Sequence, residues 1–251
     1  MIYYTGDLHG SNDEIIQFCE THDLTDNDTV ILLGDVGANY YGGWKDKRFK
    51  KTFTFVTPTF LCIHGNHEMR PTSLDTYIEK EWNGGTVWYE REYPNLLFAK
   101  DGEIYTFNGK DFIVIGGAHS VDKLRCLNEG KPFWEDEMPS DETKAIVEQK
   151  LIEKGNQIYG LLTHTCPISS LPKEMFVSTH RAAKAQKRMS RRERKNEYSL
   201  DIDRSTEEWL ETIKNKLNFT IWYCGHYHTE KQIDKLEFIF IKHFNSSKHK
   251  L

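Results

Sequence analysis

The stretch that decides the fold is Tyr3-Tyr4-Thr5-Gly6-Asp7-Leu8-His9-Gly10. Its first residues are aromatic and β-prone and a glycine follows them, which predicts a short strand that ends just before Asp7. Asp7 and His9 are two residues apart, so on an extended backbone both side chains point the same way and could face one divalent cation. An Asp-x-His pair alone is a weak signal, because such pairs are common in ordinary loops. Its weight comes from later segments that repeat the arrangement.

Two further apolar runs end in the same kind of polar loop. Residues 29–33 and 59–63 are continuous apolar runs, which are typical of strands buried on both faces of a sheet. The first run ends in Gly34-Asp35 and the second in His64-Gly65-Asn66-His67. Helical segments separate the runs, so we expect a parallel α/β sheet. Ligands of such sheets bind beyond the carboxyl ends of the strands.

The second half of the chain adds an antiparallel part and two more buried strands. Asp101-Gly102 and Asn108-Gly109 are typical of two-residue hairpin turns, and they predict an antiparallel meander over residues 96–115. The apolar runs at residues 158–162 and 219–223 predict strands that again end in histidine-containing loops.

Five predicted strand ends therefore carry side chains that can bind a metal ion. They are Asp7 with His9, Asp35, Asn66 with His67, His164, and His226 with His228. Each has an ordinary explanation when taken alone, but the same side chains recur at the same end of successive strands. Carboxylate, amide and imidazole groups without thiolate suit Mn²⁺, Fe, Zn²⁺ or Ni²⁺. One ion cannot bind all of these side chains. Two ions about 3.5–4 Å apart that share a carboxylate would accommodate them.

Together the motifs resemble the ordered motif series of the calcineurin-like metallophosphoesterases. The matching segments are Gly6-Asp7-Leu8-His9-Gly10, Gly34-Asp35, Gly65-Asn66-His67-Glu68, His164 and Gly225-His226-Tyr227-His228. The resemblance is nearest to the bacterial and phage relatives of Ser/Thr protein phosphatases. It implies an α/β fold in which two packed mixed β-sheets are flanked by helices, a four-layer α/β/β/α sandwich with a binuclear metal centre on the strand-end loops.

The resemblance also implies a role for each motif residue. One ion would be bound by Asp7, His9 and His228, and the other by Asn66, His164 and His226. Asp35 would bridge two divalent ions, for which Mn²⁺ is favoured. In the family, the histidine that matches His67 protonates the leaving oxygen or stabilises the transition state. The implied reaction is direct attack of a metal-bridging hydroxide on the phosphoester, with Asp35 and His67 as the catalytic residues.

The chain departs from the protein phosphatases in the second motif. Those enzymes usually carry Asp-Arg-Gly a few residues after the bridging aspartate, whereas Val36-Gly37-Ala38-Asn39 follows Asp35 here. An arginine that grips phosphate and an acidic partner for the catalytic histidine are therefore missing, which weakens the case for protein-phosphatase activity. Arg70, Lys123 and Arg125 are candidate substitutes for the arginine, with a surface ion pair as an equal alternative for each.

Three functions stay open at this stage. The leading hypothesis is a phosphomonoesterase that acts on a phosphoprotein or a small phosphorylated molecule. The alternative is a phosphodiesterase, including a nuclease or a cyclic-nucleotide hydrolase, because the same centre serves both reactions. A non-catalytic scaffold of the same fold is the weakest hypothesis, since no ligand residue is missing.

Charge gives only local support to a nucleic-acid partner. The net charge is −5 and the pI about 6.1, which argues against a general polyanion binder. Residues 178–199 form a predicted basic insertion, in which 181–195 are dense in Lys and Arg. The segment is either a solvated excursion or a basic flap over an anionic substrate. It lacks interleaved aromatic residues for base stacking, so nucleic acid is not the favoured partner.

The remaining features favour a cytoplasmic location and one domain. The five cysteines are widely spaced and contain no Cys-x-x-Cys pair, so neither a disulfide framework nor a structural zinc site is indicated. Reduced thiols in a cytoplasm fit this pattern. We find no signal peptide or membrane span in the sequence, and we expect a single domain over residues 1–251.

Overall fold

The structure, a computed structural model, describes residues 1–121, 123, 126, 129–172 and 202–240, and two mixed six-stranded sheets dominate this part of the chain. The first sheet consists of β1 (Ile2–Thr5), β2 (Thr29–Leu32), β3 (Thr59–Cys62), β4 (Ile78–Trp82), β5 (Gly85–Tyr89) and β6 (Leu96–Ala99). The second consists of β7 (Ile104–Phe107), β8 (Lys110–Ile115), β9 (Gly160–Thr163), β10 (Ile221–Cys224), β11 (Lys231–Ile233) and β12 (Leu236–Phe238). The described helices of more than one turn are α1 (Asp13–Thr21), α2 (Trp44–Phe53), α3 (Asp141–Glu153) and α4 (Ser205–Lys216).

The strand order places many carboxyl ends at one edge of each sheet. The first sheet has the order β1-β2-β3-β6-β5-β4 and the second β11-β12-β10-β9-β8-β7. β1, β2, β3 and β6 are parallel, and so are β8, β9, β10 and β12. The loops after β1, β2 and β3 therefore begin side by side, as do those after β8, β9 and β10.

The two sheets pack face to face with helices on both outer sides. Ile31 and Leu61 of the first sheet share a buried core with Val114 and Leu162 of the second. Outside the first sheet, α1 and α2 contribute Ile15, Cys19 and Phe53 to a second core, and outside the second sheet, α3 and α4 contribute Val147, Leu151, Leu210 and Ile213 to a third. Fully burying one such side chain stabilises the fold by about 1.5–3 kcal/mol. The predicted four-layer α/β/β/α sandwich is confirmed.

The predicted antiparallel meander over residues 96–115 is wrong. β6 belongs to the first sheet, where Leu97 pairs with Leu61 of the parallel strand β3. At Asp101-Gly102 the chain crosses to the second sheet, and the Asp101 carboxylate fixes this turn by accepting hydrogen bonds from Gly116 N (2.6 Å) and Arg70 Nη1 (2.7 Å). Of the two predicted turns, Asn108-Gly109 does close a hairpin, between β7 and β8.

Two antiparallel hairpins, β4–β5 and β11–β12, were not predicted from the sequence. β4 and β5 pair in antiparallel register and are joined by Asn83-Gly84, whose φ angles are +48° and +87°. The turn Asn108-Gly109 has similar angles, +50° and +74°. Both are positive at two successive residues, as the two-residue hairpin turn that suits twisted strands requires.

Other predictions concern segments and residues outside the two sheets. The predicted basic insertion at 178–199 lies outside the described residues. All five cysteines are buried and none takes part in a disulfide in the described structure, as predicted. Within the described ranges, no helix has the length and apolar character that crossing a membrane requires.

Candidate metal centre

Six of the predicted ligands form two compact groups at the strand ends. One group contains Asp7, His9 and His228, and the other contains Asp35, His164 and His226. Within each group the ligand atoms all lie within 4.8 Å of one another. Four separate loops, those after β1, β2, β9 and β10, supply these side chains, so the fold brings together what the sequence holds far apart.

Asp35 and Asn66 connect to this arrangement through His164. Asp35 Oδ2 lies 3.5 Å from His164 Nε2 and 3.8 Å from His9 Nε2, so its carboxylate stands between the two groups. Its other oxygen, Oδ1, accepts a hydrogen bond from His67 N at 2.8 Å, which directs Oδ2 towards both histidines. Asn66 Oδ1 lies 2.9 Å from His164 Nε2 and therefore joins the second group.

The centre is buried on one side and open on the other. The side chains of His164 and Asp35 are 0% and 2% exposed, whereas those of His9 and His228 are 38% and 44% exposed. The ring nitrogens Nε2 of His9 and His228 are 2.9 Å apart, within hydrogen-bond distance of each other. The ring of His67 lies 5.4 Å from that of His9 between centroids, so His9, His67 and His228 surround the opening.

Hydrogen bonds behind the ligands orient their donor atoms. His164 Nδ1 lies 2.7 Å from Leu33 O, and because a carbonyl only accepts, Nδ1 donates a proton to it and Nε2 is the ring nitrogen that faces the centre. Asn66 Nδ2 donates to Ser120 Oγ at 2.9 Å, which turns Oδ1 inward. The Asp7 carboxylate accepts from His226 N at 3.0 and 3.1 Å and thereby ties the loops after β1 and β10 together.

Backbone strain is concentrated at the centre. Ten non-glycine residues in the described ranges have a positive φ, and five of them belong to the two groups: Asp7, His9, Asp35, His226 and His228. Each such conformation costs about 1–3 kcal/mol and persists only where the surroundings enforce it. The strands that precede these residues are β1, β2 and β10, and each is hydrogen-bonded to a neighbouring strand, so the sheets hold the strained loops in place.

Two glycines allow the loops to approach one another. A Cβ atom on Gly34, which has a φ of +99°, would lie 2.1 Å from His164 Nδ1. A Cβ atom on Gly65 would lie 2.1 Å from both the backbone nitrogen and Oδ1 of Asp35. Any larger residue at either position would displace a candidate ligand.

A buried acid that the sequence analysis missed links two of the ligand loops. Glu207, near the start of α4, is 1% exposed, and its Oε1 accepts hydrogen bonds from Thr165 Oγ1 (3.2 Å) and Tyr227 OH (3.4 Å). Thr165 follows His164, and Tyr227 stands between His226 and His228. Burial raises the pKa of the Glu207 carboxyl group. No signal in the sequence marked Glu207, because its partners are distant along the chain.

The protonation states differ among the ligands. Burial alone would lower the pKa of His164, but the Asp35 carboxylate outweighs it and raises that pKa to about 9, so a bound cation would have to displace a proton from this ring. Burial lowers the pKa of His9 to about 4 and that of His226 well below the usual value, so both rings are neutral and have a lone pair available. Burial alone would raise the pKa of Asp35, but His164 outweighs it and lowers that pKa, so Asp35 is a carboxylate. Burial raises the pKa of Asp7, a cost that a neighbouring cation would offset.

The three predicted phosphate contacts have different outcomes. The guanidinium of Arg70 donates to Asp101 Oδ2 (2.7 Å) and to the Asp136 carbonyl (2.9 Å), so it forms the ion pair that was the alternative. The ammonium of Lys123 lies 4.3 Å from the centroid of the Phe133 ring. Arg125 lies outside the described residues.

Comparison with known families accounts for this geometry. The family model described as calcineurin-like phosphoesterase matches residues 1–230. The chain belongs to this family. It is therefore a metal-dependent phosphoesterase, and the carboxylate, amide and imidazole donors of the centre fit the divalent ions that the family implies.

Solved structures similar to the phosphoesterase have low sequence identity to it. Phosphopantetheinyl hydrolase from Mycobacterium tuberculosis is 14% identical, with 95% of this chain and 87% of that chain covered and a TM-score of 0.47. TT1561 of Thermus thermophilus is 12% identical, with the same coverages of 95% and 87% and a TM-score of 0.49. AQ665 from Aquifex aeolicus is 16% identical, with 66% and 80% covered and a TM-score of 0.32. No curated protein matches the chain.

Proposed function

We propose that the phosphoesterase hydrolyses phosphomonoesters, of a phosphoprotein or a small molecule, with a pair of divalent cations. The observation that carries this proposal is the position of Asp35, whose carboxylate lies 3.5 and 3.8 Å from histidines of two different ligand groups. A single mononuclear site would not need a carboxylate between two sets of ligands. Mn²⁺ is the first candidate, with Fe, Zn²⁺ and Ni²⁺ as alternatives.

Each group would hold one cation. Asp7, His9 and His228 form the more open site, and Asn66, His164 and His226 form the more buried one, with Asp35 common to both. When bound, two such cations lower the pKa of water and neutralise phosphate oxygens, so that hydrolysis proceeds at neutral pH. The hydrogen bonds to Leu33 O and Ser120 Oγ keep His164 and Asn66 oriented for this task.

His67 is the residue that we assign to proton transfer. It belongs to neither ligand group, its ring borders the opening, and its backbone nitrogen is anchored to Asp35 at 2.8 Å. From this position the imidazole would donate a proton to the oxygen of the departing alcohol. The monoester preference rests on the Gly65-Asn66-His67-Glu68 motif, which is similar to that of the protein-phosphatase relatives.

A phosphomonoester and a phosphodiester, both chromogenic, test the proposal. Purified protein is treated with a chelator, reloaded in separate samples with Mn²⁺, Fe, Zn²⁺ or Ni²⁺, and assayed on p-nitrophenyl phosphate and bis(p-nitrophenyl) phosphate. We expect a higher kcat/KM on the monoester. Faster hydrolysis of the bis ester would make the protein a phosphodiesterase, and no turnover of either ester with any of the four metals would support a non-catalytic scaffold.

The role of His67 is tested with leaving groups of different quality. His67→Ala should bind Mn²⁺ like the wild type and lower kcat on an alkyl phosphate by ~10²–10⁴-fold, the range for a lost acid or base. The loss should be smaller on p-nitrophenyl phosphate, because p-nitrophenolate departs without needing a proton. Phe55→Ala, at an exposed position after α2, serves as the control. Loss of metal from His67→Ala would show that His67 is a ligand instead.

A further inference from the structure

Aromatic side chains from two loops cluster together, and one of these loops contacts segments next to His9 and His67. We define the aromatic rim as Tyr40, Tyr41 and Trp134. The ring of Tyr40 meets that of Trp134 at 5.3 Å with an interplanar angle of 71°, and that of Tyr41 at 4.8 Å with an angle of 73°. Tyr41 is 58% exposed, and Tyr40 and Trp134 are partly exposed. The metal centre uses none of these rings.

The loop that carries the two tyrosines contacts the segments that follow His9 and His67. A Cβ atom on Gly37 would lie 2.5 Å from Gly10 N, so this part of the loop packs directly on the residue after His9. Asn39 O accepts a hydrogen bond from Met69 N at 2.9 Å, two residues beyond His67. Since His9 and His67 both border the opening, the rim adjoins it on the side of the proposed proton donor. The alcohol that leaves during hydrolysis would extend towards this side.

Buried contacts hold both parts of the rim in place. The carboxylate of Asp46, which is 3% exposed, accepts hydrogen bonds from Tyr41 N (2.9 and 3.0 Å) and Gly42 N (2.7 Å). Two hydrogen bonds fix the segment that follows Trp134. Arg70 Nε donates to the Asp136 carbonyl at 2.9 Å, and Ala118 N donates to the Glu137 carbonyl at 3.1 Å. Because the rim is ordered by these contacts, a ligand would bind to it at little cost in conformational entropy.

The chemistry of the rim indicates what it binds. Tyrosine and tryptophan present flat apolar faces with a polar atom at the edge, which suits a planar, partly polar ring better than an acyl chain. The ammonium of Lys45 lies 4.2 Å from the centroid of the Tyr41 ring, so a cation is also present at the edge of the rim. Aromatic side chains at comparable sites in nucleic-acid-binding proteins stack on bases regardless of their sequence.

We propose that the aromatic rim binds the base of a nucleotide substrate, so that the phosphoesterase acts on nucleoside monophosphates. This inference rests on the proposed function. In the reaction, the phosphorus–oxygen bond to the ribose breaks, the oxygen of water joins phosphorus, and His67 supplies the proton to the ribose oxygen. The products are a nucleoside and inorganic phosphate.

A pair of substrates that differ only in the base tests this inference. The kcat/KM values for adenosine 5′-monophosphate and ribose 5-phosphate are measured with Mn²⁺-loaded wild type, Tyr40→Leu, Trp134→Leu and the exposed-aromatic control Phe55→Leu. We expect the wild type to prefer the nucleotide by roughly five- to a hundredfold, the range for stacking one base. The two rim variants should lose most of this preference and keep the wild-type rate on ribose 5-phosphate. Phe55→Leu should change neither value.

Binding gives a readout that does not depend on turnover. Equilibrium dialysis of adenosine, in the presence of a chelator, should show weaker binding to Trp134→Leu than to the wild type. Equal rates of the wild type on both substrates, or an equal loss on both in the rim variants, would overturn the inference and leave phosphoester hydrolysis standing. If the wild type hydrolyses neither substrate nor the nitrophenyl esters, the proposed function fails, and unchanged adenosine binding to Trp134→Leu would then overturn the rim as well.

Discussion

Replacing Ser120 by alanine tests how the chain orients the amide ligand of the centre. Ser120 Oγ accepts a hydrogen bond from Asn66 Nδ2 at 2.9 Å, and both residues are buried, with 4% and 2% exposed. Without the hydroxyl, the Asn66 amide loses the hydrogen bond that holds its NH₂ group away from His164. An inverted amide would present its NH₂ group, which cannot bind a cation, at the place where Oδ1 now lies.

Two magnitudes follow from this contact. Loss of one buried hydrogen bond lowers the free energy of unfolding by about 0.5–1.5 kcal/mol. Loss of a hydrogen bond that orients a metal ligand weakens metal binding by roughly 10–100-fold. The second effect should be confined to the site that contains Asn66, His164 and His226, because no contact of Ser120 with the Asp7, His9 and His228 group is seen among the described residues.

Isothermal titration of the chelator-treated protein with Mn²⁺ measures both sites, and urea unfolding measures stability. Ser170→Ala is a matched control, since Ser170 is a serine that is 1% exposed and whose hydroxyl contacts Lys214 instead of a ligand. Ser120→Ala should weaken one binding step and leave the other within about twofold, while Ser170→Ala changes neither. Unchanged affinity at both sites in Ser120→Ala would refute the reasoning, and so would an equal loss at both sites.

Three further predictions concern close packing, a buried acid and the metal itself. Gly65→Ala should lower the free energy of unfolding by about 1–3 kcal/mol and abolish at least one metal site, because its Cβ would overlap Asp35. Gly43→Ala is the control, since a Cβ there meets nothing within 4 Å, and it should change thermal unfolding and metal titration little. Burial raises the pKa of Glu207, so the folded state keeps this proton at a pH where the unfolded state has lost it. As pH rises from about 4.3, the free energy of unfolding of the wild type should therefore fall relative to that of Glu207→Gln. If urea unfolding shows the same difference between the two proteins at every pH, this prediction is contradicted. Compared with protein in Mn²⁺ at 100 times the Kd, chelation should lower the free energy of unfolding by about 2.7 kcal/mol for each occupied site. Equal stabilities would exclude a metal site in the folded protein.

The candidate ligands could be predicted from the sequence because each belongs to a short local pattern. A buried strand followed by a polar loop is visible in a window of ten residues, and parallel strands bring their carboxyl ends to one edge. The same local pattern therefore predicts Asp7, Asp35 and His164 together with the strands that precede them. The four-layer fold follows from the family resemblance of the same motifs.

The residues that orient these ligands could not be predicted in that way. Ser120 is 54 positions from Asn66, and Glu207 is 42 positions from Thr165, so only the folded chain brings the partners together. The hairpin predicted at Asp101-Gly102 was wrong for the same reason. The dipeptide is typical of a hairpin turn, but hydrogen bonds from Arg70 and Gly116 hold it where the chain crosses between the two sheets. In contrast, the hairpin at Asn83-Gly84 has the same signal as Asn108-Gly109 and was open to prediction.

The number of metal ions bound per chain tests the central claim most directly. Mn²⁺ is titrated into chelator-treated wild type and Asp35→Asn, and the bound metal is counted after dialysis. We expect two ions per wild-type chain and the loss of at least one from Asp35→Asn, together with nearly all turnover, because Asp35 stands between the two ligand groups. One ion per wild-type chain, with the same count and undiminished turnover in Asp35→Asn, would contradict the account.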